Sequence, residues 1–272
     1  MTLPHIKLPD LSIYYESAGD GEPVLWIAGL GSDHSVWTSH VDFFRQAYRC
    51  VTFDNRDAGQ SDRASGNYTI RDMADDAKNL MDALGIASAH VVGLSMGGAI
   101  AQELAISYPQ RVRTLALVCT YTRGDPRGTE IMNSWMLMRE RFSSQEYYRA
   151  ILPWLFSHQE YLMPGLVENY LKTAQENPYP QAPEAFARQV KAVTTFDSEA
   201  RLKDIRAPTL VVSGDEDILT PLRFARTLKK EIPDSRLVII EGAGHGLTRS
   251  RPQEFRQALL AFLEKNSPRP RS

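Results

Sequence analysis

The spacing of apolar positions changes along the chain, and the changes divide it into segments. Short apolar or alternating runs at residues 6–8, 12–16 and 24–28 predict strands, with Gly19-Asp20-Gly21 as a turn between the last two. Strands then alternate with helices. Residues 50–53 read as a strand, after which Met73, Ala77, Leu80, Met81 and Leu84 share one helical face. Thr69 and Asp72 have the spacing of a capping box at the start of that helix. Residues 89–92 predict a strand, 97–101 the start of a small-residue helix, and 114–119 another strand. From 122 to 207 the strand signal is lost. Aromatic and methionine residues recur there at helical spacing, as in Trp135, Met136, Met138 and Phe142, then Tyr147, Ile151, Trp154 and Leu155. Prolines at Pro153, Pro164, Pro178, Pro180 and Pro183 predict several short helices broken at those points. Alternation resumes with a strand at 209–213, a helix at Leu222–Glu231, a strand at 236–240 and a closing helix at 253–265.

This order predicts an α/β fold with a mostly parallel central sheet covered by helices on both faces. Residues 1–121 and 208–272 would form that core, and 122–207 a helical insertion between two late strands. The Pro- and Arg-containing tail, 266–272, is expected to fray.

Composition narrows the classes. The 272 residues are 43% hydrophobic, enough for a substantial core, and 31 basic against 33 acidic residues give a net charge of -2. No basic stripe is interleaved with aromatics, so a nucleic-acid partner is not expected, and small or neutral substrates fit better. Cys50 and Cys119 each lie in an apolar run, where a free buried thiol is the usual occupant and a disulfide framework is not. The first residues lack the apolar core of a signal peptide and no window reaches the length of a membrane span, so a cytoplasmic protein without membrane association is expected.

Candidate chemistry centres on Gly93-Leu94-Ser95-Met96-Gly97, which follows a predicted strand and opens a predicted helix. A serine hydroxyl is a poor nucleophile unless geometry and a base activate it. A G-x-S-x-G elbow exposes the serine on a strained strand-to-helix turn, and side chains at the flanking glycines would clash with the neighbouring chain. Met96 N–H, at the helix start, would face a developing oxyanion. A base and an orienting carboxylate should follow Ser95 in the order acid, then histidine. His245 is the one histidine in a glycine-flanked loop after a late strand, and Asp215, Glu216 and Asp217 follow the strand before it. Asp217 is favoured because it stands four residues before Pro221, which suits the opening of the next helix; Asp215 and Glu216 stay open. Leu30, in the loop Gly29-Leu30-Gly31, is the expected second oxyanion donor. The closest histidine pair, His34 and His40, has no metal-site spacing, and no metal is expected.

These motifs, together with Trp37, the segment Asp54-Asn55-Arg56-Asp57-Ala58-Gly59-Gln60-Ser61 and Gly242-Ala243-Gly244-His245, make the chain similar to the α/β-hydrolase superfamily. It resembles most the branch of 3-oxoadipate enol-lactonases and small carboxylesterases. The resemblance implies Ser95, Asp217 and His245 as catalytic residues, hydrolysis of a small ester or lactone without a cofactor, and a cap over the site. Trp37, Trp135, Met138 and Trp154 are the candidate substrate contacts, cap packing being the alternative role for the last three. Two positions depart from the family pattern. Ala28 replaces a common histidine before Gly29, so the oxyanion loop must be braced from elsewhere, and Asp57 replaces a glycine. The 54–61 segment reads as a structural turn with Arg56 in a hydrogen-bonded pair. Carbon–carbon bond hydrolases, cofactor-free perhydrolases and a ligand-binding receptor on the same fold are the competing readings; Leu94 and Gly246 count against the first.

Overall fold

The computed structural model describes residues 4–267. Eight strands form one sheet: β1 His5–Lys7, β2 Ser12–Ala18, β3 Glu22–Ile27, β4 Tyr48–Phe53, β5 Ala89–Leu94, β6 Val112–Val118, β7 Thr209–Gly214 and β8 Ser235–Ile240, in the order β1-β2-β4-β3-β5-β6-β7-β8. β1 and β2 are antiparallel to their neighbours, and β4 to β8 run parallel through β3. The helices are α1 Thr38–Phe44, α2 Ile70–Ala83, α3 Met96–Ser107, α4 Pro126–Arg141, α5 Ser144–Leu155, α6 His158–Tyr161, α7 Leu166–Gln175, α8 Pro183–Thr195, α9 Leu222–Glu231, α10 Leu247–Ser250 and α11 Pro252–Asn266.

Alternation of side chains along β3 separates two cores. Leu25 and Ile27 pack with residues of α2, α3 and α9, whereas Val24 and Trp26 pack with Trp37, Phe44 and the α11 residues Phe255, Leu259 and Phe262. The Thr69–Asp72 capping box forms at the start of α2. Five helices, α4 to α8, fill the chain between β6 and β7, and their facing sides make two further apolar clusters.

Helices end or begin around Pro164, Pro178, Pro180 and Pro183 as expected, and the structure corrects the reading at Pro153. Pro153 lies inside α5 rather than breaking it. It stands in the last turn, where its missing N–H forfeits one hydrogen bond and few residues remain to be disrupted. Pro183 starts α8 at its first turn, a position whose N–H has no helical partner anyway. Helix α11 runs to Asn266, inside the segment expected to fray, and the rest of that tail from residue 268 lies outside the described residues. The short helices α1 and α10 were not expected from the sequence. Both cysteines are free and buried, and burial pushes the Cys50 thiol up to about 11.

Candidate active site

The turn between β5 and α3 holds Ser95 at φ 54°, ψ -116°, a left-handed backbone that a non-glycine residue adopts only under constraint. The constraint is close packing. A Cβ at Gly93 would strike the carbonyl of Gly97, and one at Gly97 would strike the carbonyls of Ile27 and Ala28. Ser95 N donates to Val118 O at 2.9 Å, and its carbonyl accepts Thr120 Oγ1 at 2.7 Å and Gly98 N at 2.9 Å. The backbone is thus bonded on both sides of Ser95, whose hydroxyl forms no hydrogen bond with His245 among the described residues.

His245 and Asp217 meet beyond the carboxyl ends of β8 and β7. His245 Nδ1 and Asp217 Oδ2 are 2.9 Å apart, both residues buried. Asp217 also accepts the N–H groups of Leu219 at 2.9 Å and Thr220 at 2.8 Å, and the Thr220 hydroxyl at 2.7 Å. Burial alone would push this carboxyl up. The adjacent imidazole and the Thr220 hydrogen bonds more than offset that and hold it below the ordinary carboxylate range. The competing acids are occupied elsewhere: Asp215 accepts Gly242 N–H at 2.7 Å, and Glu216 is exposed.

Ser95, Met96, Leu30 and His245 line one cavity of about 210 Å³. Met96 opens α3, so its N–H has no intrahelical partner. Gly29 brings the loop after β3 close to the elbow, since a Cβ there would lie 3.3 Å from Leu94 O and 3.4 Å from Ser95 Cβ. The bracing that Ala28 does not provide comes from two amides. Asn55 Nδ2 donates to Ala28 O at 3.1 Å, and Gln189 on α8 accepts Gly31 N–H at 3.1 Å. Gly31 itself has φ 70°, a backbone suited to glycine.

The insertion holds the histidine loop as well. Ser157 Oγ donates to Gly242 O at 2.6 Å, buried Glu160 accepts Gly244 N–H at 2.9 Å, and Gly246 N donates to Leu155 O at 2.8 Å. Of these bracing residues, Asn55 lies in a recognisable segment and Ser157 and Glu160 carried a local signal, since together they form a capping box. Gln189 and Thr220 act through long-range or loop contacts that no local pattern announces.

Trp135 reaches the cavity wall beside Tyr147, Tyr148 and Phe186. The other three expected substrate contacts do not. Trp37 is fully buried in the core on the Trp26 face of β3, its ring 5.0 Å from that of Trp26 and 6.3 Å from that of Phe255. Trp154 packs edge-on behind Trp135, with centroids 6.1 Å apart, and Met138 lies against the same cluster. All three serve packing, Trp37 in the core and Met138 and Trp154 in the apolar cluster of the insertion. Arg56 forms a two-point pair with Asp76 at 2.6 and 2.8 Å.

Two trios of side chains have the donor types of a metal site: Cys119, Asp217 and His245, and Asp33, His34 and Asp54. In each, the histidine is already engaged with a carboxylate, His245 Nδ1 with Asp217 Oδ2 at 2.9 Å and His34 Nδ1 with Asp54 Oδ1 at 2.7 Å. Among the described residues no helix is long and apolar enough to cross a membrane.

Residues 22–248 match the family model described as the alpha/beta hydrolase fold. RutD of Caulobacter sp. (strain K31), provisionally named a carbamate hydrolase, is 31% identical over 253 residues, covering 90% of this chain and 92% of that protein. The solved enol-lactonase from Burkholderia xenovorans LB400 aligns with a TM-score of 0.87 at 26% identity over 96% of this chain and all of that one. A thermophilic esterase from Thermogutta terrifontis gives 0.85 at 27% identity, covering 98% of each chain. A family match over most of the chain, with these relatives spanning nearly all of it, makes this protein a member of the α/β-hydrolase family.

Proposed function

We infer that the protein is a serine hydrolase of small carboxylic esters or lactones that works through an acyl-enzyme. The observation that carries this reading is the buried Asp217–His245 hydrogen bond at the rim of the same cavity as the strained Ser95. In the reading, His245 takes the Ser95 proton as the hydroxyl attacks the carbonyl, and Asp217 fixes the imidazole tautomer and offsets the charge that forms on it. The N–H groups of Leu30 and Met96 receive the oxyanion. His245 then protonates the leaving alcohol and activates water to release the acid. Catalytic hydrogen bonds in ligand-free sites are often long and tighten on binding, so a serine not yet bonded to its base is compatible with this cycle.

Residues 122–207 are read as a cap on a core of 1–121 and 208–272, with Trp135 among the substrate contacts. The names of the relatives widen the test beyond esters. Purified protein should be assayed against short-chain aryl esters, a lactone, an aryl carbamate and a ring-cleavage dienoate, with Ser95→Ala as control. Turnover of an ester or lactone that Ser95→Ala abolishes supports the reading. Turnover confined to the carbamate or the carbon–carbon substrate would redirect it, and no turnover of any would favour a binding protein.

A further inference from the structure

The amide of Gln189 is fully buried and both of its ends bind backbone of the core, although the residue belongs to the insertion. Its Oε1 accepts Gly31 N–H at 3.1 Å, and its Nε2 donates to Arg56 O at 3.1 Å. Gly31 directly follows Leu30, the donor assigned to the oxyanion. Three residues earlier on the same face of α8, the Phe186 ring stands 3.2 Å from where a Gly31 Cβ would be, so helix and loop are in tight contact. Three more bonds fix this part of the insertion to the segment after β4: Gln181 Nε2 donates to Asp57 O at 2.9 Å, and Arg188 makes a two-point pair with the Asp57 carboxylate.

A glycine loop that must hold one N–H toward a developing charge has little stiffness of its own, because glycine leaves the backbone many conformations. Oxyanion stabilisation, however, depends on donors that are in place before the reaction and do not reorganise during it. The residue that removes the freedom of the loop therefore acts on the rate through Leu30 without touching the substrate.

We propose that Gln189 is a positioning residue for the oxyanion hole, and that through it the seating of α8 on the core sets transition-state stabilisation. The proposal rests on the serine-hydrolase reading and goes beyond it. It makes the insertion part of the catalytic machinery as well as a cover over the substrate.

The test compares the wild type with two Gln189 variants on one short-chain aryl ester. Gln189→Met keeps the volume and removes the acceptor; Gln189→Glu keeps an acceptor for Gly31 and, when protonated in its buried site, a donor for Arg56. For Gln189→Met, kcat should fall by about tenfold to a hundredfold, less than the roughly 10²–10³ lost when an oxyanion donor is deleted. KM should stay within about twofold, because the interaction is realised in the transition state. Affinity for a trifluoromethyl ketone, which forms the oxyanion adduct, should drop in step with kcat. Gln189→Glu should recover most of both. A Met variant with wild-type kcat, or one whose loss lies in KM or melting temperature alone with unchanged ketone affinity, overturns the proposal, as does a Glu variant no better than Met. Hydrogen exchange on the wild-type protein is independent of variant folding: the Gly31 amide should be protected, and free exchange would overturn the proposal too. Activity of the wild type lost in Ser95→Ala checks the underlying mechanism separately.

Discussion

Asp57 and Arg188 form a two-point ion pair across the boundary between core and insertion, with Oδ2 accepting Nε at 2.8 Å and Oδ1 accepting an Nη at 2.6 Å. Asp57 stands where the family pattern has a glycine, and its backbone keeps the left-handed conformation, φ 69°, that a glycine would take. The side chain is fully buried while that of Arg188 is 21% exposed. The position thus accepts backbone strain in exchange for an anchor on α8.

Replacement of Asp57 should separate the two effects. Asp57→Ala loses the pair and keeps the strain. Its cost should fall between the about 0–1 kcal/mol of an exposed pair and the about 3–5 kcal/mol of a buried one, because Arg188 still reaches water. Asp57→Gly should be about 1 kcal/mol less destabilising than the alanine variant, since glycine carries no left-handed penalty. Urea unfolding measures both. Equal losses would mean that the strain at Asp57 has no energetic weight.

The proposed triad makes a sharper demand on activity. Ser95→Ala and His245→Ala should each lower kcat by at least about 10⁴-fold with unchanged melting temperature, because triad members act as one unit. Asp217→Asn should cost about 10³–10⁴-fold by favouring the wrong imidazole tautomer. Asp215→Asn should stay within about tenfold, since an amide oxygen still accepts Gly242 N–H. Reversal of the two aspartates in a steady-state assay would assign the orienting role to Asp215.

The parts of this fold that the sequence disclosed are those set by local rules. The glycines around Ser95 and the Thr69–Asp72 cap are steric or hydrogen-bonding requirements fulfilled within a few residues. The mostly parallel sheet also followed from strand–helix alternation, though its strand order did not. Aromatic content in the insertion, by contrast, did not say which ring faces the cavity. Trp135 and Trp154 share one apolar cluster, and which of the two reaches the wall depends on how α4 and α5 rotate against each other. Trp37 was misread because its nearness in sequence to the loop after β3 did not show that its ring packs into the core against Trp26. Gln189 was invisible because its partner Gly31 is 158 residues away.

Acid should destabilise the protein through His40. Burial, with Arg256 adding to it, lowers the His40 pKa from 6.5 to about 4, and the Thr248 carbonyl only partly opposes this. Its ring is enclosed by Trp26, Trp37 and Phe255, with Nε2 3.1 Å from Thr248 O and Nδ1 accepting Arg256 Nε at 3.3 Å. The folded state therefore binds fewer protons than the unfolded one between these values. The neutral-ring contribution is complete above about pH 6.5 and is lost progressively as the pH falls toward about 4. At roughly 1.4 kcal/mol per unit, the difference is on the order of 3 kcal/mol. Unfolding free energies between pH 7 and 4.5 should decline, and His40→Asn, which does not titrate, should flatten that decline while lowering stability at pH 7. An unchanged slope in the variant would place the acid sensitivity elsewhere.

Three arginines line the cavity wall, of which Arg123 pairs with Glu199, and the other two bear on substrate charge, where composition alone favoured small or neutral molecules. Arg139 is buried, donates to Gln181 O at 3.0 Å, and lies 4.6 Å from the centre of the Tyr147 ring. Arg249, four residues past His245, lies 5.4 Å from the centre of the Tyr170 ring. Neither has a carboxylate partner among the described residues, and both line the cavity with Ser95. Arg139, a buried cation without a counter-charge, favours an anionic ligand; Arg249 is exposed but has no counter-charge either, and a guanidinium pairs best with a carboxylate. An aryl monoester of a dicarboxylic acid should therefore show a higher kcat/KM than the neutral aryl ester of equal acyl length. One charge-assisted hydrogen bond of about 1.5 kcal/mol corresponds to about tenfold in that ratio. Arg139→Met and Arg249→Met should each shrink the preference while leaving the neutral ester nearly unaffected. If the wild type prefers the neutral ester, or if the arginine variants lose both substrates equally, the guanidiniums hold the insertion together through their aromatic neighbours and take no part in substrate choice.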